Sequence, residues 1–283
     1  MNPVSNTAYY CCGIRMEDAK RDNSVCNDIY AQRFMDERGM QIFEPFKSEK
    51  MANIGSITRC RLIDDYLKAE LANNSDLNVI SIGAGFDTRP YRLTGGNWLE
   101  IDEPQIITYK NEKLPVDECS NPLRRISIDF AHESLADKLK KEDKDRHTIF
   151  VIEGVFMYLD SEAINKTVKA LQEHFPKHAL YCDLMTSQFF YKFTQNVHKK
   201  LVAAGGKFSK LPDEPEEIFT NHHYTLVERT PMFKRAGELG LLWSAVKIPT
   251  FISWLMLNVL LKELSGYAVH RFDFNKMSGE VPT

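Results

Sequence analysis

Asn78-Val79-Ile80-Ser81-Ile82-Gly83-Ala84-Gly85-Phe86-Asp87-Thr88-Arg89 decides the fold. It opens as a short apolar, β-branched run, the composition of a strand buried on both faces in a parallel sheet. The run breaks into Gly83-Ala84-Gly85. A glycine pair at the carboxyl end of a first strand lets backbone approach a ligand closely, because no Cβ stands in the way. About 20 residues further on, the separation expected within a nucleotide-binding unit, comes Trp98-Leu99-Glu100-Ile101-Asp102. This is a second strand ending in carboxylates, suited to the two hydroxyls of a ribose. Strand, glycine turn and terminal acid together describe a site for an adenosine-containing cofactor.

The turn also chooses between cofactors. A dinucleotide seats its pyrophosphate on a helix N-terminus and uses a third glycine for close helix–strand packing. Here Phe86, Asp87 and Thr88 follow Gly85, so the third glycine is missing. Asp87 moreover puts negative charge where a pyrophosphate would lie. S-adenosylmethionine has no phosphate and carries a sulfonium cation, so an acidic turn suits it better than it suits NAD.

Composition limits the rest. The chain has 283 residues, 43% of them hydrophobic, with a formal net charge of -3 and a pI near 6.3. That is enough to bury a sizeable core, and one compact domain over 1–283 is expected. A mildly acidic chain lacks the basic excess of a nucleic-acid surface. Met1-Asn2-Pro3-Val4-Ser5 has neither the basic start nor the apolar core of a signal peptide. The longest apolar tract, 248–261, contains Pro249, Thr250, Ser253 and Asn258 and is too short to span a bilayer. A cytoplasmic address is expected. Six cysteines, at 11, 12, 26, 60, 119 and 182, form no CxxC and no Cys/His zinc spacing, so reduced thiols and no metal are expected.

Taken in order, residues 1–75 are expected to be a helical cap. A first helix runs from Asp28 to Gly39, with Gly39 as its C-cap, and a longer one from Lys50 to Ala72. Within the second, Thr58-Arg59-Cys60-Arg61 has two readings. The arginines either cover a helix face and pair with acids, or one of them grips a cofactor carboxylate with its guanidinium fork.

From Leu77 strands and helices alternate, the pattern of a parallel sheet with helices on both faces. Strands are expected at 78–83, 97–102, 124–129, 147–154 and 178–184, and helices at 103–113, 132–141 and 160–174. Right-handed crossovers put every strand's carboxyl end on one edge, where such folds bind ligands. That edge collects Gly83, Asp102, Asp129-Phe130, Glu153 and Asp183. Residues 76–184 therefore form the cofactor-binding core. The aromatic-rich stretch 185–230 (Phe189, Phe190, Tyr191 and Phe193 among it) reads either as a lid over a substrate or as surface helices packed on the sheet. Residues 231–283 complete the sheet, with a helix near Met232–Leu239, a strand at 242–248, an apolar helix at 251–264 and a last strand Tyr267–Phe274.

The motifs Thr58-Arg59-Cys60-Arg61-Leu62-Ile63-Asp64, Gly83-Ala84-Gly85-Phe86-Asp87-Thr88-Arg89, Glu100-Ile101-Asp102-Glu103-Pro104, Ser127-Ile128-Asp129-Phe130 and Glu153-Gly154-Val155-Phe156-Met157-Tyr158-Leu159 occur in that order. With them the sequence resembles the leucine carboxyl methyltransferase family of class I S-adenosylmethionine-dependent methyltransferases, over roughly residues 20–175. The resemblance implies an α/β, Rossmann-like sheet of seven strands, mostly parallel with the last antiparallel, and S-adenosyl-L-methionine as cofactor. It implies that Arg59 binds the methionyl carboxylate, helped by Lys20 or Arg21. Gly83 and Gly85 would line the methionine backbone, Asp102 would hold the ribose, and Asp129 and Phe130 would contact the adenine. Glu153 would face the methionyl ammonium, and Tyr158 would sit near the methyl group or the acceptor.

Methyl transfer is an in-line displacement on carbon already activated by the sulfonium, so the enzyme mainly aligns the nucleophile and strips its water. A carboxylate acceptor needs no base, whereas an alcohol or phenol does, and His132, Tyr158, His198, His222 and His223 are the candidates. The aromatic insertion favours an apolar small-molecule acceptor, polyketide-like, methylated on oxygen. Carboxyl methylation of a protein C-terminus, a cofactor-binding sensor without chemistry and an NAD dehydrogenase are the competing readings. The sequence does not give the oligomeric state.

Overall fold

A computed structural model of the chain describes residues 3–242 and 262–276. The strand expected at 242–248 and the helix at 251–264 lie outside these residues, apart from Leu242 and 262–264.

Seven strands form one sheet in the order β3-β2-β1-β4-β5-β7-β6. They are β1 (Asn78–Ile82), β2 (Asn97–Asp102), β3 (Leu123–Ser127), β4 (Thr148–Ile152), β5 (Lys177–Met185), β6 (Thr225–Pro231) and β7 (Tyr267–Asn275). The first five pair in parallel, and β7 runs antiparallel to both β5 and β6. This is the mostly parallel, Rossmann-like arrangement expected, with the final strand reversed. Chain order reverses between β1 and β4, whose carboxyl ends therefore open onto the crevice where ligands of such sheets bind. Both strands are buried along nearly their whole length, which is why they read as unbroken apolar runs.

Eleven helices flank the sheet among the described residues. The cap supplies α1 (Thr7–Ala19), α2 (Glu37–Phe43) and α3 (Lys50–Asn73). The crossovers supply α4 (Arg89–Arg92), α5 (Pro104–Lys113), α6 (Leu135–Leu139) and α7 (Ser161–His174). After β5 come α8 (Ser187–Phe193), α9 (Gln195–Ala203), α10 (Glu217–Thr220) and α11 (Met232–Glu238). In α7, Asp160 caps the N-terminus by accepting from the Ala163 amide at 2.8 Å, and Ile164, Val168 and Leu171 form the stripe that packs on the sheet.

Two expectations need correction. The helix placed at 28–39 with Gly39 as its end is instead a 3₁₀ turn, Ala31–Phe34, followed by α2. Asp36 accepts from the Gly39 amide at 2.8 Å, so Gly39 lies in the first turn of α2. An acidic N-cap outcompeted the glycine stop. The outer strand on the β7 side is β6, at 225–231, inside the stretch read as a lid. It is exposed over Thr225–Glu228, carries Glu228 and Arg229, ends in Pro231 and is bulged at Leu226/Glu228, and these are features that protect a sheet edge and hide a strand from pattern reading.

Beneath the far end of β5, His178 is buried between strand and loop. Its Nδ1 donates to the Phe175 carbonyl (2.8 Å), which leaves Nε2 to accept from the Tyr224 hydroxyl (2.7 Å). Burial pushes its pKa down from 6.5 to about 4. The unfolded chain takes up this proton below its ordinary pKa, but the folded chain does so only near the lowered one. Stability is therefore full above about pH 6.5 and is lost as pH falls toward 4. Urea unfolding is expected to show about 2 kcal/mol less stability at pH 5 than at pH 7 from this group, a difference that His178→Gln removes.

Candidate active site

The carboxyl ends of β1, β2 and β4 border a cavity of about 1190 Å³. Its floor is polar and belongs to the strand edge. Gly83 and Gly85 follow β1 with φ of 68° and 49°, in the left-handed region that a side chain adopts at a cost. A Cβ on Gly83 would lie 2.5 Å from a Val155 methyl, so the turn closes only with glycine. The Gly85 amide donates to Asp102 Oδ2 at 2.6 Å and the Glu103 amide to Oδ1 at 2.7 Å. These two bonds hold the carboxylate at the cavity wall, while burial raises its pKa.

The other acid of that strand, two residues earlier and so on the same face, has a different fate. Glu100 is wholly buried and accepts from Lys110 (2.7 Å) and Arg125 (2.8 Å). Of the pair, only Asp102 remains for a ligand.

Glu153, after β4, accepts from Arg59 Nε at 2.9 Å and from Arg89 Nη1 at 2.7 Å. The two guanidinium groups hold its carboxyl below its ordinary value against the opposing cost of burial. Arg59 reaches in from α3 and also donates to Asp183 (3.1 Å) and the Tyr267 hydroxyl (2.7 Å). Arg89 binds Asp64 at 2.6 Å and Asp87 at 3.0 Å. Arg92 adds a second bond to Asp64 at 2.6 Å. Arg15 holds Asp28 at 2.8 Å and the Phe86 carbonyl at 2.7 Å.

The network thus sets four guanidinium groups (Arg15, Arg59, Arg89, Arg92) against five carboxylates (Asp28, Asp64, Asp87, Glu153, Asp183). One buried negative charge is left over, at the end of the cavity where Asp87 and Glu153 line it. In a low-dielectric pocket such a charge favours a cation.

The roof is apolar. Met51 and Gly55 of α3, Phe189 and Phe193 of α8, Leu201 of α9, and Phe208 from the loop after α9 face Met157 and Tyr158 across it. Phe208 meets Tyr158 edge-on, with centroids 5.1 Å apart. The roof is tied down at several points. Asn6 Nδ2 donates to the Ala204 carbonyl (3.1 Å) and the Ser209 amide to the Met157 carbonyl (2.8 Å). Lys200 bonds Pro45 O, Ser48 Oγ and Glu49.

Of the residues singled out from sequence, Arg59, Gly83, Gly85, Asp102, Phe130, Glu153 and Tyr158 all line this one cavity. Asp129 does not. Its carboxylate is taken by its own turn, the Ala131 amide at 3.0 Å and His132 Nδ1 at 2.9 Å, while the neighbouring Phe130, 44% exposed, borders the cavity mouth. We therefore expect Phe130→Ala to weaken cofactor binding about tenfold through lost stacking. Asp129→Ala should change it less than about threefold, and equilibrium titration of both variants checks this ranking.

Lys20 is paired with Glu17 on the surface and Arg21 is not in the lining; the cation that α1 brings to the cavity is Arg15. None of His132, His198, His222 or His223 lines the cavity. His198 accepts instead from the Phe208 amide at 3.3 Å and braces the roof. Tyr158 is the one group of that set present, and burial raises its pKa well above the ordinary tyrosine value. A phenol held protonated can donate a hydrogen bond but cannot act as a base. Sequence reading also missed Arg89 and Arg15 as members of the site. Cys26, Cys60 and Asp64 come close enough together to share an ion, but the two Asp64 oxygens already carry Arg89 and Arg92. No helix among the described residues is long and apolar enough to cross a membrane.

A family model described as leucine carboxyl methyltransferase matches residues 11–172, the span that carries every motif of the cavity floor. A candidate S-adenosyl-L-methionine-dependent methyltransferase of Frankia alni is 27% identical over 174 residues, covering 56% of this chain and 61% of that protein. One of a Mycobacterium species is 34% identical over 108 residues, 35% of this chain and 44% of its own length. The chain thus matches less than two thirds of the length of these relatives. Among solved structures, a candidate methyltransferase of Thermobifida fusca superposes with a TM-score of 0.57 over 88% of this chain and 97% of its own, at 12% identity. At that identity the likeness is one of fold.

Proposed function

The chain belongs to the leucine carboxyl methyltransferase family, and on that premise we propose that it transfers the methyl group of S-adenosyl-L-methionine to an oxygen of a small apolar molecule. The observation that carries this reading is the convergence of Gly83, Asp102, Glu153 and Arg59 on one cavity whose buried ion network keeps a net negative charge. S-adenosylmethionine bears two cations and one carboxylate, so its charge matches the surplus. A dinucleotide's pyrophosphate would add anions to an acidic turn. Asp102 would take the ribose hydroxyls, Phe130 the adenine face, Arg59 the methionyl carboxylate and Glu153 the ammonium. The cofactor, once bound, supplies a methyl carbon activated by the adjacent sulfonium.

The protein's own part in the reaction is alignment and desolvation. The apolar roof excludes water from the space over the floor, and Met157, Tyr158 and Phe208 shape the acceptor's approach. No histidine lines the cavity, Glu153 is ion-paired, Asp102 is capped by two amides, and Tyr158 is held protonated. An acceptor that arrives already ionised fits such a site better than one that must lose a proton, which favours a carboxylate over an alcohol or phenol.

Labelled S-adenosylmethionine, incubated with a panel of apolar carboxylic acids, phenols and carboxyl-terminal peptides, tests the assignment. Base-labile methyl esters on the small acids are expected. Turnover of peptides alone would move the activity to protein carboxyl groups. Cofactor binding without any acceptor would leave a sensor, and binding of NAD in its place would overturn the reading.

A further inference from the structure

Arg59 leaves α3 deep in the cap and is 6% exposed. Its donors are unevenly engaged. Nε is given to Glu153 at 2.9 Å. Nη1 donates both to Asp183 Oδ2 (3.1 Å) and to the Tyr267 hydroxyl (2.7 Å). Nη2 meets only the Cys11 sulfur, at 3.6 Å, among the described residues, and it borders the cavity beside Gly154, where a Cβ would approach it to 3.2 Å.

One edge of the guanidinium is therefore anchored and the other left open. The two anchors on Nη1 come from neighbouring strands. Asp183 lies on β5 with its side chain fully buried, and its other oxygen accepts from the Gly154 amide at 2.6 Å. Tyr267 begins the antiparallel β7, and its hydroxyl both accepts from Arg59 and donates to Asp183 at 2.6 Å. The three groups close a ring of hydrogen bonds in which each orients the next.

We propose that Asp183 and Tyr267 are positioning residues for the amino-acid end of the cofactor: they fix the Nη1 edge of Arg59 so that its Nη2 edge faces the methionyl carboxylate. This rests on the reading that the cavity holds S-adenosylmethionine. An arginine side chain has several rotatable bonds, and its fork gives directed pairing with a carboxylate only when the plane is held. Without the Tyr267 hydroxyl one Nη1 hydrogen has no partner in a buried place, so the plane turns to find one and the open edge leaves its line. Burial keeps the Tyr267 phenol protonated, and it therefore remains a donor to Asp183.

The test uses the whole chain and two ligands, S-adenosylmethionine and its decarboxylated analogue, titrated calorimetrically into the unaltered protein and into Tyr267→Phe. The analogue keeps adenosine, sulfonium and amine but has nothing for Arg59 to hold. Tyr267→Phe should weaken S-adenosylmethionine about tenfold and leave the analogue within about twofold, so that the discrimination between them shrinks. Asp183→Asn should do the same more strongly. Should that variant fail to fold, Tyr267→Phe, which removes a single oxygen, decides alone. Equal weakening of both ligands would make Tyr267 a merely structural residue and overturn the proposal, as would no weakening of either. Failure of the unaltered protein to bind either ligand would instead remove the cofactor reading, and this inference with it.

Discussion

Replacing Arg89 by Met is expected to cost the fold about 3–5 kcal/mol, measured by urea unfolding at pH 7. The side chain is 2% exposed and binds three carboxylates, Asp64 at 2.6 Å, Glu153 at 2.7 Å and Asp87 at 3.0 Å, besides the Cys60 carbonyl at 3.2 Å. Coulombic attraction from Arg89 and its basic neighbours holds the Asp87 carboxyl well below the ordinary range, although burial works the other way. Without the guanidinium, the three carboxylates would face one another with Arg59 on Glu153 and Arg92 on Asp64 as their remaining ion pairs. The cost comes from the charges left behind rather than from the lost pair as such. Arg89→Lys should recover only part of it, because an ammonium cannot span three acceptors in one plane. A loss below about 1 kcal/mol, the range of an exposed ion pair, would show that the network is more hydrated than its burial implies.

Asp102→Asn should lower affinity for S-adenosylhomocysteine by roughly 30- to 100-fold, corresponding to about 2–3 kcal/mol for a charged hydrogen-bonding pair. The carboxylate is already aimed by the Gly85 and Glu103 amides, and burial in the cavity wall strengthens what it gives a diol. Asparagine keeps the volume and can still accept one of those amides, so the melting temperature should move little. Isothermal titration beside a thermal melt separates the two effects. A large loss of stability with unchanged affinity would make Asp102 a cap for the glycine turn and nothing more.

How much of this was legible in sequence depended on how far apart the interacting residues lie in the chain. Gly83, Asp102 and Glu153 were found because each marks the carboxyl end of a strand whose apolar pattern is plain, and parallel topology gathers such ends by rule. Phe130 followed from its place after β3. Arg89 and Arg15 were not found, since a guanidinium's partners carry no local signal. Asp64 stands 25 residues from Arg89, and Glu153 lies across the sheet.

Asp129 and Phe130 differ by a single step along the loop. A local hydrogen bond to His132, which spacing alone does not announce, turned the acid away. β6 escaped notice because Thr225-Leu226-Val227-Glu228-Arg229-Thr230-Pro231 lacks the apolar alternation of a half-buried strand and ends in a proline at a sheet edge. The segment read as an insertion over 185–230 accordingly divides. Its first part, α8, α9 and the loop bearing Phe208, walls the cavity. Its last part joins the sheet.

The measurement that bears most directly on the cavity's role is a crystal structure of the protein grown with S-adenosylhomocysteine. The ribose is predicted to lie on the Asp102 carboxylate, the adenine on Phe130, the carboxylate on Arg59 Nη2, and the sulfur beneath Met157 and Tyr158. A nucleoside bound elsewhere, or a dinucleotide with its pyrophosphate over Gly85 and Asp87, would contradict the account.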